Sequence, residues 1–110
     1  MQMLSVELRE CIDNCVRCYE VCLSTSMGHC LQTGGPHVEA QHVRLMATCA
    51  EICRASATLM LIGTEYHRKL CTICAEVCNA CAASCDQVGD MEDSAKACRI
   101  CAESCHKMAS

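Results

Sequence analysis

Cys11, Cys15, Cys18 and Cys22 step along the chain by four, three and four residues. Cys71, Cys74, Cys78, Cys81 and Cys85 repeat the alternation, as do Cys98, Cys101 and Cys105, while Cys49 and Cys53 give one step of four and Cys30 stands apart. A single catalytic centre does not account for 15 Cys in 110 residues. An odd number cannot be consumed by internal disulfides, and reduced thiols in such density point to metal. Soft thiolates select soft metals, above all Cu(I), with Zn(II) and iron–sulfur clusters as the other common choices.

The spacing separates these metals. Structural zinc uses closed sets of four cysteines, usually from two Cys pairs on turns or ribbons, and cluster motifs wrap loops around the cofactor. Here steps of three and four alternate through helical stretches, so successive sulfurs fall one above another along a line. Cu(I) accepts low coordination, and two sulfurs from one helix or from facing helices can hold it. A buried thiolate without a counter-charge is prohibitive, so the empty interior should hold neutral thiols that each lose a proton as metal enters. One Cu(I) per thiolate keeps the interior neutral and sets an expectation on the order of fifteen ions per chain. That capacity implies storage; no constellation for substrate turnover is visible, so no enzyme is expected.

The elements that must position these thiols follow from the punctuation. Gly28, Gly34-Gly35-Pro36, Gly63 and Gly89 divide the chain into helical segments at about 4–27, 37–62, 64–87 and 91–108, each rich in helix formers. Short connections between the last three favour antiparallel neighbours. The expected fold is all-α, an antiparallel up-down-up-down four-helix bundle with a Cys-lined core, in one domain over residues 1–110. Every segment carries its sulfur residues at seam spacing: Leu4, Leu8 and Cys11 to Cys22 on the first, His42, Met46, Cys49, Cys53, Ser56 and Met60 on the second, His67 and Cys71 to Cys85 on the third, and Met91, Ser94, Cys98 to Cys105 and Met108 on the fourth. With no Trp, no Phe and only two Tyr, a folded chain must use its cysteines as core.

A repeat, Cys-Ala-Glu-x-Cys, stands at 49–53, 74–78 and 101–105, and its Glu falls off the Cys seam. Charges pair on the outer faces as Asp13/Arg17, Glu65/Lys69, Glu92/Lys96 and Glu103/Lys107. A second apolar row, Val38, Leu45, Ile52 and Leu59, reads as the edge of the core, with a subunit interface as the alternative. A net charge of −4, no basic run and scarce aromatics argue against nucleic acid. The longest apolar stretch, near Leu59–Ile62, is too short for a membrane span, and the N-terminal Met1–Glu7 lacks the basic segment and apolar core of a secretory signal. A cytoplasmic location is expected.

The segments CIDNCVRCYEVC, CAEIC, CTICAEVCNACAASC and CRICAESC resemble the four-helix-bundle copper storage proteins, specifically their cytosolic branch. The resemblance covers nearly the whole chain. It implies Cu(I) held by thiolates inside each bundle, a homo-tetramer in the cytosol, and a role in storing or sequestering copper. Cys11, Cys15, Cys18, Cys22, Cys49, Cys53, Cys71, Cys74, Cys78, Cys81, Cys85, Cys98, Cys101 and Cys105 are the candidate ligands, with Cys30, in or near the first loop, the least secure. Ser56, Ser94 and His42 occupy seam positions where further Cys would fit and lower the expected capacity.

Ions need an entrance. One end of the bundle collects Met60, His67 and Met108, whose thioethers and imidazole bind Cu(I) more weakly than thiolate and would hand ions inward. The other end holds His42, Cys22, Cys85 and Met91 and stays open as an entrance, whereas Met46 and Met91 read as core filler and His29, His37 and His106 as solvated. Two other functions stand beside copper storage: a zinc- or cadmium-sequestering protein of metallothionein-like habit, and thiol redox or iron–sulfur work. The redox reading places reactive Cys at a helix N-terminus beside a strand, and this chain gives no strand signal.

Overall fold

The computed structural model describes residues 4–109. Residues 1–3, the start of the stretch read for a secretory signal, lie outside the described residues. Four long helices form a rod of 46 × 23 × 19 Å, and no strand occurs among the described residues. They are α1 (Val6–Thr25), α2 (Ala40–Ile62), α3 (His67–Val88) and α4 (Glu92–Met108). The fold is the expected all-α four-helix bundle. Each helix packs on two neighbours, α1 and α3 both lying against α2 and α4. Cys11 meets Cys105 while Cys22 meets Cys98, so α1 and α4 run antiparallel.

Local chemistry sets the ends. Ser5 is the N-cap of α1, its hydroxyl accepting from the Leu8 N–H at 3.1 Å. Gly63 closes α2 in the left-handed region, φ 83°, its N–H reaching the Leu59 and Met60 carbonyls. The entry to α4 carries Glu92 and Asp93 in its first turn, where acidic side chains suit the helix dipole.

The first helix departs from expectation. Gly28 does not end it: the chain runs on through a π turn, Ser26–Cys30, and a last turn, Leu31–Thr33, before Gly34 at φ 71°. A glycine inside a helix costs about 1 kcal/mol against alanine, which neighbouring contacts readily offset. A 3-10 turn, Gly35–Val38, then leads to α2, which starts at Ala40 and not near 37. The third helix likewise starts at His67 instead of 64, after turns in which Thr64 hydrogen-bonds Tyr66 and His67.

The core is made of sulfur and small side chains. Every Cys is buried, together with Met46, Met60, Met91 and a set of Ala that includes Ala50, Ala75 and Ala102 of the repeat. In each copy of the repeat a small Ala follows the first Cys into the core, and Glu51, Glu76 and Glu103 point outward. Leu45 and Ile52 pack as the core edge, while Val38 is 40% exposed. Outer ion pairs partly differ from expectation: Asp13 pairs with Arg9 at 2.7 Å instead of Arg17, Lys107 meets Glu103 at 3.9 Å, and Arg99 of α4 reaches Asp86 of α3. Among the described residues neither Glu65/Lys69 nor Glu92/Lys96 forms an ion pair. Such exposed, salt-screened pairs add little, so the bundle rests on its seam.

Hydropathy adds one correction. Within the 23-residue helix Ala40–Ile62, an 18-residue stretch reaches a mean hydropathy of 1.5, long and apolar enough by composition to cross a membrane. The sequence reading missed this because the apolar character comes from dispersed Cys, Ala and Met, not from one unbroken run. The inward side of the helix, from His42 to Met60, is buried against the other helices.

Candidate metal centre

The seams of all four helices converge on one axis, and their thiols are free, with no disulfide. Five sets of buried sulfurs have all members within 4.8 Å of one another. Beginning where α1 begins, they are Cys11, Cys71 and Cys105; Cys15, Cys74, Cys101 and Cys105; Cys53, Cys74, Cys78 and Cys101; Cys18, Cys49, Cys53 and Cys78; and Cys18, Cys22, Cys49 and Cys98. Each set shares at least one thiol with the next. The result is a continuous ladder.

Its rungs have the span a metal requires. Cys53 Sγ lies 3.5 Å from Cys78 and 3.7 Å from Cys74, Cys15 lies 3.5 Å from Cys105, and Cys22 lies 3.5 Å from Cys98. Metal–sulfur bonds of about 2.3 Å put trigonal or tetrahedral donors about 3.7–4.0 Å apart. These thiols therefore need little rearrangement to share an ion.

Protonation in the ladder is cooperative. A thiolate at one position accepts from neighbouring thiols, so the sulfurs divide: hydrogen bonding led by Cys101 holds Cys18 and Cys74 below the ordinary thiol range, and the same neighbour leads in pushing Cys53 up. Burial alone raises Cys30. Desolvation permits few anions in the empty core, and each entering cation displaces a proton.

Cys81, Cys85 and Cys30 lie outside the five sets. Cys81 and Cys85 both donate to the Met46 thioether, at 3.5 and 3.6 Å. Cys30 donates to Met91 Sδ at 3.6 Å and faces His37 Nδ1 at 3.7 Å. Sequence reading missed Met46, Met91 and His37 as members of the donor array. The signal for Met46 was its seam position between His42 and Cys49; for His37 there was none, and its expected solvation is corrected by 5% exposure. Cys30 reaches the core through the π turn. From Cys22 the inward positions are Ser26 and Cys30, two steps of four, which drift off an α-helical seam but stay in line where the turn widens.

The secondary candidates are placed unevenly. Met60 is fully buried on the seam, Met108 is half-buried against the core, and His67 is half-buried with Nδ1 2.8 Å from the Thr64 carbonyl. None of the five sets includes His67 or His42. His42 is buried, hydrogen-bonded through Nδ1 to Ser84 Oγ at 2.8 Å, with Nε2 unpartnered. The hydroxyls of Ser56 and Ser94 are likewise buried without partners where the seam omits a thiol.

The sequence profile described as copper storage protein matches residues 4–110. The chain belongs to the copper storage protein family. Among solved structures, a crystal structure of a Nitrosospira multiformis protein is 53% identical, with a TM-score of 0.92 and 94% of each chain covered. The Cu(I)-bound copper storage protein BsCsp3 is 30% identical, with a TM-score of 0.86 over 94% of this chain and 99% of that one. The metal-free copper storage protein 3 from Bacillus subtilis is 31% identical, with a TM-score of 0.77 over 93% and 98%. A comparison with curated proteins gives no match.

Proposed function

We propose that this member of the copper storage protein family stores Cu(I) along its axis, with residues 1–110 acting as one Cys-rich bundle. The ligands are the thiolates of Cys11, Cys15, Cys18, Cys22, Cys49, Cys53, Cys71, Cys74, Cys78, Cys81, Cys85, Cys98, Cys101 and Cys105, with Cys30 at the far end. The observation that carries this reading is the unbroken sharing of thiols between successive sets. A bridging thiolate serves two monovalent ions at once, and one Cu(I) per lost proton leaves the core neutral. Cu(I) in the BsCsp3 structure, a protein similar over nearly the whole chain, supports the choice of metal.

Titration of reduced, metal-free protein with Cu(I) against a strong chromophoric chelator tests it. About one ion per Cys should be withheld before the chelator colours. Only a few withheld ions would reject storage. A second reading rests on the four-membered sets, whose geometry also fits tetrahedral zinc or cadmium. In that case Zn(II) would resist displacement by Cu(I), an outcome the softness of the donors opposes.

The finer assignments complete the proposal. Storage takes place in the cytoplasm, in a homo-tetramer, with neither nucleic acid nor membrane as partner, and without substrate turnover. Met60, His67 and Met108 pass ions at the end where α1 begins, and His42 is a secondary ligand. The unpartnered His42 Nε2 and the buried Met60 thioether support these roles.

A further inference from the structure

At the end of the rod away from the Met60 end, three donors of different kinds converge. The Cys30 thiol lies 3.6 Å from the Met91 thioether and 3.7 Å from His37 Nδ1. All three residues are buried, at 1%, 4% and 5% exposure. They come from three separate elements: the π turn, the 3-10 turn before α2, and the approach to α4. Bonds of about 2.0–2.3 Å place trigonal N and S donors about 3.5–4.0 Å apart, which matches the Cys30–Met91 and Cys30–His37 separations.

The surroundings fit a cation in transit. Beside Met91 lies a cavity of about 270 Å³ lined by His29, Asp90, Glu92, Asp93 and Ser94. Its carboxylates concentrate cations at the opening, and Ser94, 1% exposed, holds an unpartnered hydroxyl there. His29 is partly exposed, bonds the Asp90 carbonyl at 3.1 Å, and stacks edge-on against His37 with centroids 5.0 Å apart. Inward, the Met46 thioether accepts from both Cys81 and Cys85, at 3.5 and 3.6 Å. These sulfurs are buried at the same end of the seams, beyond the last thiol set.

We infer that Cys30, His37 and Met91 form a mixed-donor site for one Cu(I), separate from the thiolate ladder and in exchange with it at this end. The inference rests on the copper-storage reading. Binding replaces the Cys30 thiol proton with Cu(I), the proton passing to solvent, so charge is unchanged and no oxidant or reductant takes part. One thiolate, one imidazole and one thioether hold Cu(I) less tightly than bridging thiolates. This ion is therefore the last to bind and the first to leave.

The test uses the reduced full chain, Cu(I) itself as probe, and the substitutions His37→Gln and Met91→Leu. Nitrogen-detected NMR of the wild-type His side chains should show the His37 Nδ1 resonance moving only in the last equivalent of the titration. A chelator of moderate affinity should strip about one ion per chain rapidly from the wild type, and each variant should lose that fast-leaving ion while keeping the slow ones. A wild type that withholds many ions while His37 stays unperturbed, or variants with an unchanged fast phase, would overturn the mixed-donor site and leave storage intact. Failure of the wild type to withhold copper would overturn both. The NMR readout stands even where a variant fails to fold.

Discussion

Cys53 Sγ on α2 lies 3.5 Å from Cys78 Sγ on α3, and both thiols belong to the same two consecutive sets. Neither residue belongs to a single site. Each is a joint between rungs, so removing a joint should affect more than one ion.

Replacing Cys74, Cys78 and Cys81 together with Ser should therefore lower Cu(I) capacity by several ions per chain. Ser fits the volume that Cys leaves, but each buried hydroxyl costs about 1–3 kcal/mol, so the triple variant should be less stable while far-ultraviolet circular dichroism at low temperature keeps its helical signal. Unchanged capacity in the chelator competition would refute an axial ladder.

Ser56 is fully buried and its hydroxyl has no partner. An unsatisfied buried hydroxyl costs about 1–3 kcal/mol. Ser56→Ala should raise the urea stability of the metal-free protein by about 1 kcal/mol, discounting for relaxation. Ser56→Cys should give a similar gain and add about one Cu(I) to the capacity, since it inserts a thiol between Cys53 and Met60 on the seam. Loss of stability in both variants would show that the hydroxyl is satisfied.

Burial holds His42 below its ordinary value of 6.5. The unfolded chain takes up this proton as pH falls through 6.5, while the folded chain resists until lower pH. Stability of the metal-free protein is thus intact above 6.5 and declines below it. Urea midpoints at about pH 7.5 and about pH 5.5 should differ in the wild type and converge in His42→Gln. Equal pH slopes for the two proteins would exclude His42 as the cause.

Replacing Met60, His67 and Met108 with Leu, Gln and Leu should slow Cu(I) loading or removal more than it reduces final capacity. Stopped-flow transfer from a chromophoric Cu(I) complex gives both quantities. Rates equal to the wild type would remove this end as a route for ions.

Most of the ladder was legible in the chain itself, because a helix has a fixed period. Steps of three and four place Cys11 to Cys22, Cys71 to Cys85 and Cys98 to Cys105 on single faces, and scarcity of other core residues forces those faces inward. Gly63 and Gly89, both at φ 83°, marked real helix ends for the same local reason. Gly28 did not, since a glycine only permits a break and tertiary contacts decide whether one occurs.

The sequence by itself determined the four helical faces, the soft chemistry of their seams and the family. Tertiary structure alone decided which thiols share a rung, because register between helices depends on packing across 25 to 86 positions of chain: Cys53 with Cys78, Cys15 with Cys101, Cys22 with Cys98. It also decided the fate of Cys30 and His37. A π turn abandons the α-helical period on which sequence reading depends, and the 3-10 turn carrying His37 has no period of its own long enough to read. Only the folded chain brings that thiol and that imidazole within 3.7 Å.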